Sequence, residues 1–368
     1  MPGRPRAIAT ALVLAGTASA CATARPARPS HQFLERIYVS VAPEDSSLLY
    51  EAQAATHIFL VDGLPDAYDR ISSDSTVRTA GAWRVIATPM FRVRQLKDSS
   101  AAVRTPSFMP RVSVERLWAS RRGAASGDPS NPAFAGARLT GARVTLAHHS
   151  NGQAGCFREG FEPVDSRANT CRPAPGADTA RVRLNRANGD FSSTFLSVML
   201  HATLMNRNGA DLATRSAGVA LGADWHVPGL FGALSDEQRS LYGSWRLRLQ
   251  GEAMKASGTT CADDVERSAM QRAQCAVRGR SRLTLEGERA PTRTDALARR
   301  VQPAILPYRV NVELSHAFDA LLGAGVFARW HDGQDYYNIG FVNRRRILML
   351  GGMLDLSGVD RVGKKIIQ

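Results

Sequence analysis

The stretch Thr140 to Gly152 reads Thr-Gly-Ala-Arg-Val-Thr-Leu-Ala-His-His-Ser-Asn-Gly and places His148 and Ser150 two residues apart. On an extended strand, residues at that spacing project from the same face. Val144 and Leu146 share that face, while Arg143, Thr145 and His149 take the other. A Ser hydroxyl alone is a poor nucleophile, and an imidazole within hydrogen-bond reach can remove its proton. A third polar group must then hold the ring in the productive tautomer. On an apolar face such a pair meets an acyl ester of a lipid rather than a soluble substrate. The competing reading is that His148 and Ser150 only decorate a membrane interface, where polar side chains cost little compared with the hydrocarbon core.

The elements that would position this pair follow from export and from alternation. Arg4 and Arg6, the apolar run Ala7 to Gly16 and the small residues Ala18-Ser19-Ala20 read as a signal peptide over residues 1–20. Cys21 directly after it would be the acylated residue if the signal were of lipoprotein type, although Ala18 stands where such signals usually carry Leu. Beyond the signal no run of 18 or more apolar residues occurs, which leaves a closed barrel as the means of crossing a membrane. Its signature is segments of roughly ten residues that alternate lipid-facing and lumen-facing side chains. Tyr308, Val310, Val312 and Leu314 alternate with Arg309, Asn311, Glu313 and Ser315, and Trp245, Leu247 and Leu249 alternate with Arg246, Arg248 and Gln250. Leu283 and Leu285 alternate with Arg282, Thr284 and Glu286.

Further strands are expected near residues 36–41, 57–61, 83–95, 112–119, 138–150, 191–205, 213–226, 324–330, 335–342 and 346–356. The fold class is therefore all-β: an antiparallel transmembrane β-barrel of about 12 strands. The expected organisation is a periplasmic segment and first strands over 21–80, the barrel over 81–357 and a tail over 358–368. A soluble periplasmic sandwich is the alternative, because alternation does not say whether the apolar face meets lipid or a second sheet.

Export also bears on the cysteines and the charge. Cys156 with Cys171 and Cys261 with Cys275 form two local pairs, which an oxidising compartment turns into disulfides. The net charge of +14 would suit nucleic acid, but an exported chain meets anionic lipid headgroups instead. An Arg-rich genome would produce the same excess without any function.

His148-His149-Ser150-Asn151-Gly152 resembles the His-x-Ser-Asn-Gly element of outer-membrane phospholipase A, a family of barrels that hydrolyse glycerophospholipids. Two weaker stretches agree in order with the family: Ser100 to Pro110, and Asp335-Tyr336-Tyr337-Asn338 followed by Arg346 and the alternation from Leu348 to Leu354. The resemblance implies His148 as general base, Ser150 as nucleophile, residence in the bacterial outer membrane and a homodimer that completes the acyl pocket. The family's third catalytic residue is an Asn, whereas the comparable Ser192-Ser193-Thr194 offers Thr194 here, with Asn185 and Asn188 as substitutes if the strand bulges. The resemblance further implies calcium held by the Gln153 carbonyl and the Asp190 side chain, with Ser100 a third ligand. Asp190 stands where the family has a Ser, so it also reads as a solvated turn residue. Two other functions remain open from sequence: a lipid A deacylase, which also uses a His-x-Ser pair on a smaller barrel, and a porin-like barrel without activity.

Overall fold

The computed structural model describes residues 33–43, 48–74, 76–96, 103–122, 136–165, 168–179, 183, 185, 189–208, 212–228, 230, 232, 234–256, 278–291, 306–318, 321, 323–337 and 344–355. Seventeen extended segments and two short helices make up the regular structure. The segments are β1 (Ile37–Val41), β2 (Leu48–Ala55), β3 (Ile58–Asp62), β4 (Thr79–Thr88), β5 (Met90–Leu96), β6 (Val103–Phe108), β7 (Arg111–Arg122), β8 (Gly136–Ser150), β9 (Phe161–Asp165), β10 (Ala168–Pro173), β11 (Ser192–Asn208), β12 (Leu212–His226), β13 (Trp245–Ala256), β14 (Gly279–Arg289), β15 (Tyr308–Phe318), β16 (Ala324–Gln334) and β17 (Arg344–Leu354). The helices are α1 (Leu64–Ser73) and α2 (Asp236–Tyr242).

Three pairs of segments are single strands interrupted in the middle. β2 and β3 break at Thr56-His57, β4 and β5 at Pro89, and β6 and β7 at Met109-Pro110. A proline inside a sheet removes one ladder donor and interrupts the pairing. The carbonyls at the breaks still find partners: Thr56 N–H donates to Pro89 O (3.3 Å), and His148 N–H donates to Pro110 O (3.0 Å). The three interruptions thus lie side by side and end against the candidate site. With the β9–β10 hairpin standing apart, the ring contains twelve antiparallel strands and is closed by β1 on β17 and by β8 on β11.

Alternation sorts the wall. Leu247 and Leu249 are 49% and 55% exposed, while Arg246 between Trp245 and Leu247 is 2% exposed, so the apolar rows face outward and the charged rows inward. No described helix is long and apolar enough to cross a membrane, and the strands supply the apolar belt. On β13, Trp245 and Lys255 lie ten residues apart on the outward parity, with Leu247 to Ala253 between them. Ten residues cover about 33 Å of strand, or about 25 Å of height once strand tilt is counted, which is the thickness of a barrel's apolar band.

The lumen is cross-linked rather than open. Glu115 accepts from Arg143 and pairs with His201, each at 2.9 Å. Arg94 reaches Glu51 at 2.5 Å and Asp335 at 2.7 Å, and Arg246 pairs with Glu288. The segment before β1 enters this network: Arg36 donates to Glu313 (2.7 Å), and Arg143 donates to the Phe33 carbonyl (3.3 Å). A cavity of about 230 Å³ remains among these groups. At the end of the barrel remote from His148, α1 buries Leu64, Ala67, Tyr68 and Ile71 against Leu117, Leu139 and Met205.

The observed strands depart from the sequence expectation in several places: β2, β6 and the β9–β10 hairpin lie outside the expected ranges, and the expected strand over 83–95 is broken at Pro89. The expected strand over 335–342 is absent at Asp335 and Tyr336, which lie in a loop after β16; positions 338–342 lie outside the described residues. The reason is visible in the contacts. Asp335 is held by Arg94 and Arg345, and Tyr336 donates to Glu51 in the lumen at 2.9 Å, so this alternating stretch answers lumen charges instead of a neighbouring strand. Residues 1–20, Cys21, the Cys261–Cys275 pair and the tail over 358–368 lie outside the described residues.

Candidate active site

His148 and Ser150 stand at the end of β8 on the outward face, in line with Val144 (46% exposed) and Leu146 (48% exposed). His149, of the opposite parity, is buried in the lumen, where its ring meets Phe191 edge-on at 4.9 Å. The register with β11 sets Thr194 opposite His148 and Ser192 opposite Ser150. Phe108, 46% exposed, faces Ser150 from β6.

The cross-strand pairing has a chemical consequence. His148 Nδ1 and Thr194 Oγ1 lie 3.0 Å apart. In the tautomer protonated at Nδ1, the ring donates to Thr194 Oγ1 and leaves Nε2 as the basic nitrogen. Among the described residues the Ser150 hydroxyl has no hydrogen-bond partner, so Ser150 shares the face of His148 without a hydrogen bond to it. Catalytic hydrogen bonds of this kind are often long before substrate arrives.

Asn185 does not reach His148: its side chain donates to Cys156 O at 3.0 Å in the loop beyond β8. Asn188 and Ser100 lie outside the described residues.

Thr194 is 3% exposed although its parity points to the outer wall. The segment after β12 covers it. Val227 N–H donates to Thr194 O at 2.9 Å. Gly232 comes so close that an added Cβ would stand 2.1 Å from Ser192 Oγ and 3.5 Å from His148 Cε1. With φ of 72° as well, that position excludes any other side chain without rearrangement. Nothing in the alternation pattern pointed to Gly232, because its role depends on a loop folding back over the wall.

Asn151 secures the turn that ends the motif. Its Oδ1 accepts from Gln153 N (3.2 Å) and Phe191 N (3.0 Å), and its Nδ2 donates to Gly189 O (2.8 Å). Gly152 then turns the chain with φ of 65°. One amide side chain thereby fixes the end of β8 to the start of β11 and sets Gln153 beside the Asp190-Phe191 segment. The loop between them carries the Cys156–Cys171 disulfide and the β9–β10 hairpin.

Asp190 lies in the loop beside the site, where its carboxyl is partly withdrawn from water. Burial pushes its carboxyl from 3.8 up to about 6, and its backbone carbonyl accepts from Gln238 Nε2 at 2.7 Å. A desolvated carboxylate beside a main-chain carbonyl is a donor set of the hard-oxygen type that suits calcium. Among the described residues no group of three or more His, Cys, Asp or Glu side chains could hold a metal, so a cation here would rely on carbonyl and water ligands as well.

A second Ser–His contact occurs in the same region. Ser193 Oγ and His226 Nδ1 are 2.6 Å apart. Both are lumen-facing, at 1% and 4% exposure, so a lipid ester has no access to them. Outward orientation sets His148 and Ser150 apart from this pair; Ser281 Oγ and His316 Nδ1, 2.9 Å apart, also face outward, but at the opposite end of the barrel.

No protein-family model matches the chain, and no curated protein does. Among solved structures it is similar to outer membrane phospholipase A from Escherichia coli, with 10% identity, a TM-score of 0.42 and coverage of 88% of this chain and 93% of that one. A Salmonella typhi outer membrane phospholipase dimer with bound calcium is similar at 10% identity, TM-score 0.40, and coverage of 89% and 94%. Pseudomonas putida OprB follows at 8% identity, TM-score 0.30, and coverage of 86% and 91%. These TM-scores all lie below 0.5.

Proposed function

We propose that the protein is a phospholipase of the bacterial outer membrane that hydrolyses acyl esters of glycerophospholipids. The observation that carries the reading is the 3.0 Å contact of His148 Nδ1 with Thr194 Oγ1 on the lipid-facing wall, with Ser150 one pleat along on the same face. Ser150 Oγ attacks the ester carbonyl while His148 Nε2 takes its proton. The resulting imidazolium is held by Thr194, and it returns the proton to the leaving alkoxide. A lysophospholipid departs, and water repeats the sequence on the acyl-enzyme to release the fatty acid.

The residues below the pair fit an acyl chain. Val112, Leu146 and Leu196 are successive cross-strand partners on β7, β8 and β11, one pleat from His148 towards the middle of the wall. Phe108 flanks Ser150 on the other side. A chain laid along these side chains brings its ester to Ser150. The cross-linked lumen also favours chemistry on the outer wall over conduction through the middle. Calcium, if held by the Gln153 carbonyl and the Asp190 carboxylate, supplies positive charge next to the oxyanion. A homodimer would cover the exposed acyl chain from the other side.

A serine-directed fluorophosphonate with a long alkyl chain tests the assignment. The expected result is a single adduct on Ser150, found by peptide mass spectrometry and abolished in His148→Ala. An adduct elsewhere, or none on folded protein, rejects it. Product analysis with phosphatidylethanolamine and with lipopolysaccharide separates a phospholipase from a lipid A deacylase.

A further inference from the structure

A second apolar feature of the outer wall lies at the opposite end of the barrel from His148. Leu204, Ala217, Ala253, Leu283 and Leu314 are successive cross-strand partners on β11 to β15, all on the outward parity. The two alanines in the middle are small, while Leu204, Leu283 and Leu314 beside them are 47%, 41% and 60% exposed. The result is a trough of about 550 Å³.

The trough continues along the strand. Two residues from Ala253, a Cβ built on Gly251 would meet only Leu285 Cβ at 3.9 Å, and one built on Gly287 of β14 would meet nothing within 4 Å. Neither glycine is needed for backbone conformation or close packing. Their effect is to leave the groove open where their cross-strand neighbours, Val219 and Leu285 beside Gly251 and Leu249 and Val310 beside Gly287, are large.

The end of the trough is basic. Asn206, Arg215, Lys255 and Ser281 are the next successive cross-strand partners. Arg122 joins them from β7, and its Nη1 donates to Asn206 Oδ1 at 3.4 Å. Among the described residues no acidic side chain pairs with Arg122, Arg215 or Lys255, in contrast with the lumen, where the arginines discussed above each have a carboxylate. Fourteen residues of β11 separate Asn206 from Ser192 beside the catalytic pair, about 46 Å of strand, so the two features belong to opposite leaflets.

An unpaired cationic cluster at the interface, opening onto an apolar trough that runs into the wall, matches a molecule with a negative head and an extended hydrocarbon tail. The geometry points to a binding site for one anionic phospholipid: phosphate on Arg215, Lys255 and Arg122, and one acyl chain over Ala217, Ala253 and Gly251. This site needs only the barrel in a bilayer and does not depend on the hydrolytic reading. Ser281 Oγ and His316 Nδ1 lie 2.9 Å apart at this basic end and are assigned no part in hydrolysis: the ligand is retained as a structural lipid rather than cleaved.

The test is native mass spectrometry of the full-length protein, released from nanodiscs that contain equal parts phosphatidylglycerol and phosphatidylcholine. The expected result is one retained phosphatidylglycerol per chain and no matching phosphatidylcholine adduct. The double variant Arg215→Gln, Lys255→Gln is expected to weaken retention about thirtyfold, from the loss of two interfacial charges. Ala253→Leu, which fills the trough with the charges intact, is expected to remove the adduct. Both variants keep esterase activity and the heat-modifiable gel mobility of a folded barrel. Retention equal to that of the unaltered protein in both variants overturns the site, as does equal retention of phosphatidylcholine. A two-chain species that Ala253→Leu dissolves also overturns it, since the trough would then seat a second copy.

Discussion

Replacing Thr194 by Val removes one oxygen and keeps the shape of the side chain, so the change removes the 3.0 Å contact with His148 Nδ1. Thr194 is buried on the outer wall, and the isosteric change opens no cavity. Before reaction the lost bond is between neutral groups. In the transition state the donor becomes an imidazolium, and hydrogen bonds to charged groups contribute about 1.5–3 kcal/mol. The difference falls on the barrier and corresponds to a fall in kcat of about tenfold to about 150-fold. KM should stay within about twofold, since Thr194 does not touch the acyl chain or headgroup in this account. The assay is the initial rate of fatty-acid release from phosphatidylethanolamine in mixed micelles, over a range of substrate. Thr194→Asn supplies an amide oxygen instead and should retain most of the activity. If Thr194→Val turned over at the unaltered rate, the assignment of the third residue would be refuted, whatever Ser150→Ala did.

Other consequences follow from the loop beside the site. Burial raises the Asp190 carboxyl to about 6, above its ordinary 3.8, so the fold favours its neutral form. This group's contribution to stability is therefore present below pH 3.8 and declines as pH rises through about 6. Calcium binding has the opposite sign: affinity measured by titration calorimetry should rise as pH increases from 5 to 7, and an affinity flat across that range contradicts a role for Asp190. Asn151→Ala removes three hydrogen bonds, two of which join β8 to the Gly189–Phe191 segment and one of which closes the local turn to Gln153; activity should fall more than tenfold while the barrel's heat-modifiable mobility persists. Cys156→Ala with Cys171→Ala opens a loop of 15-residue separation, a constraint of about 3 kcal/mol in the chain-entropy account. Because the loop lies outside the ring, limited proteolysis should cut between residues 151 and 191 with the barrel intact; unfolding of the whole barrel contradicts a local role.

The outer wall was legible from sequence because lipid on one side and charge on the other impose a strict period of two, as in Trp245 to Gln250. The face shared by His148 and Ser150 followed from the same period. β2 escaped notice because the residues alternating with Glu51 and Gln53 are Ala52 and Ala54, too weakly apolar to mark a lipid-facing row. The interruption at Pro110 makes β7 read as a separate short strand, whereas the expected strand over 83–95 runs through Pro89, where the structure breaks it. The lumen network was invisible for another reason: Arg94 and Asp335 are 241 positions apart, and Arg36 and Glu313 are 277 apart. Only closure of the ring brings such pairs together, and no local pattern encodes it. The same holds for Gly232 over Ser192, and for the alanine and glycine trough, where each small residue taken alone reads as a weak position in a strand.

The central claim is that Ser150 and His148 act together on a lipid ester. The most direct measurement is release of fatty acid from phosphatidylethanolamine by detergent-purified protein, with Ser150→Ala and His148→Ala run beside it and circular dichroism confirming that all three are folded. The account predicts steady release by the unaltered chain and loss of release in both variants. Release that survives Ser150→Ala, or no release by the folded unaltered chain, would contradict it.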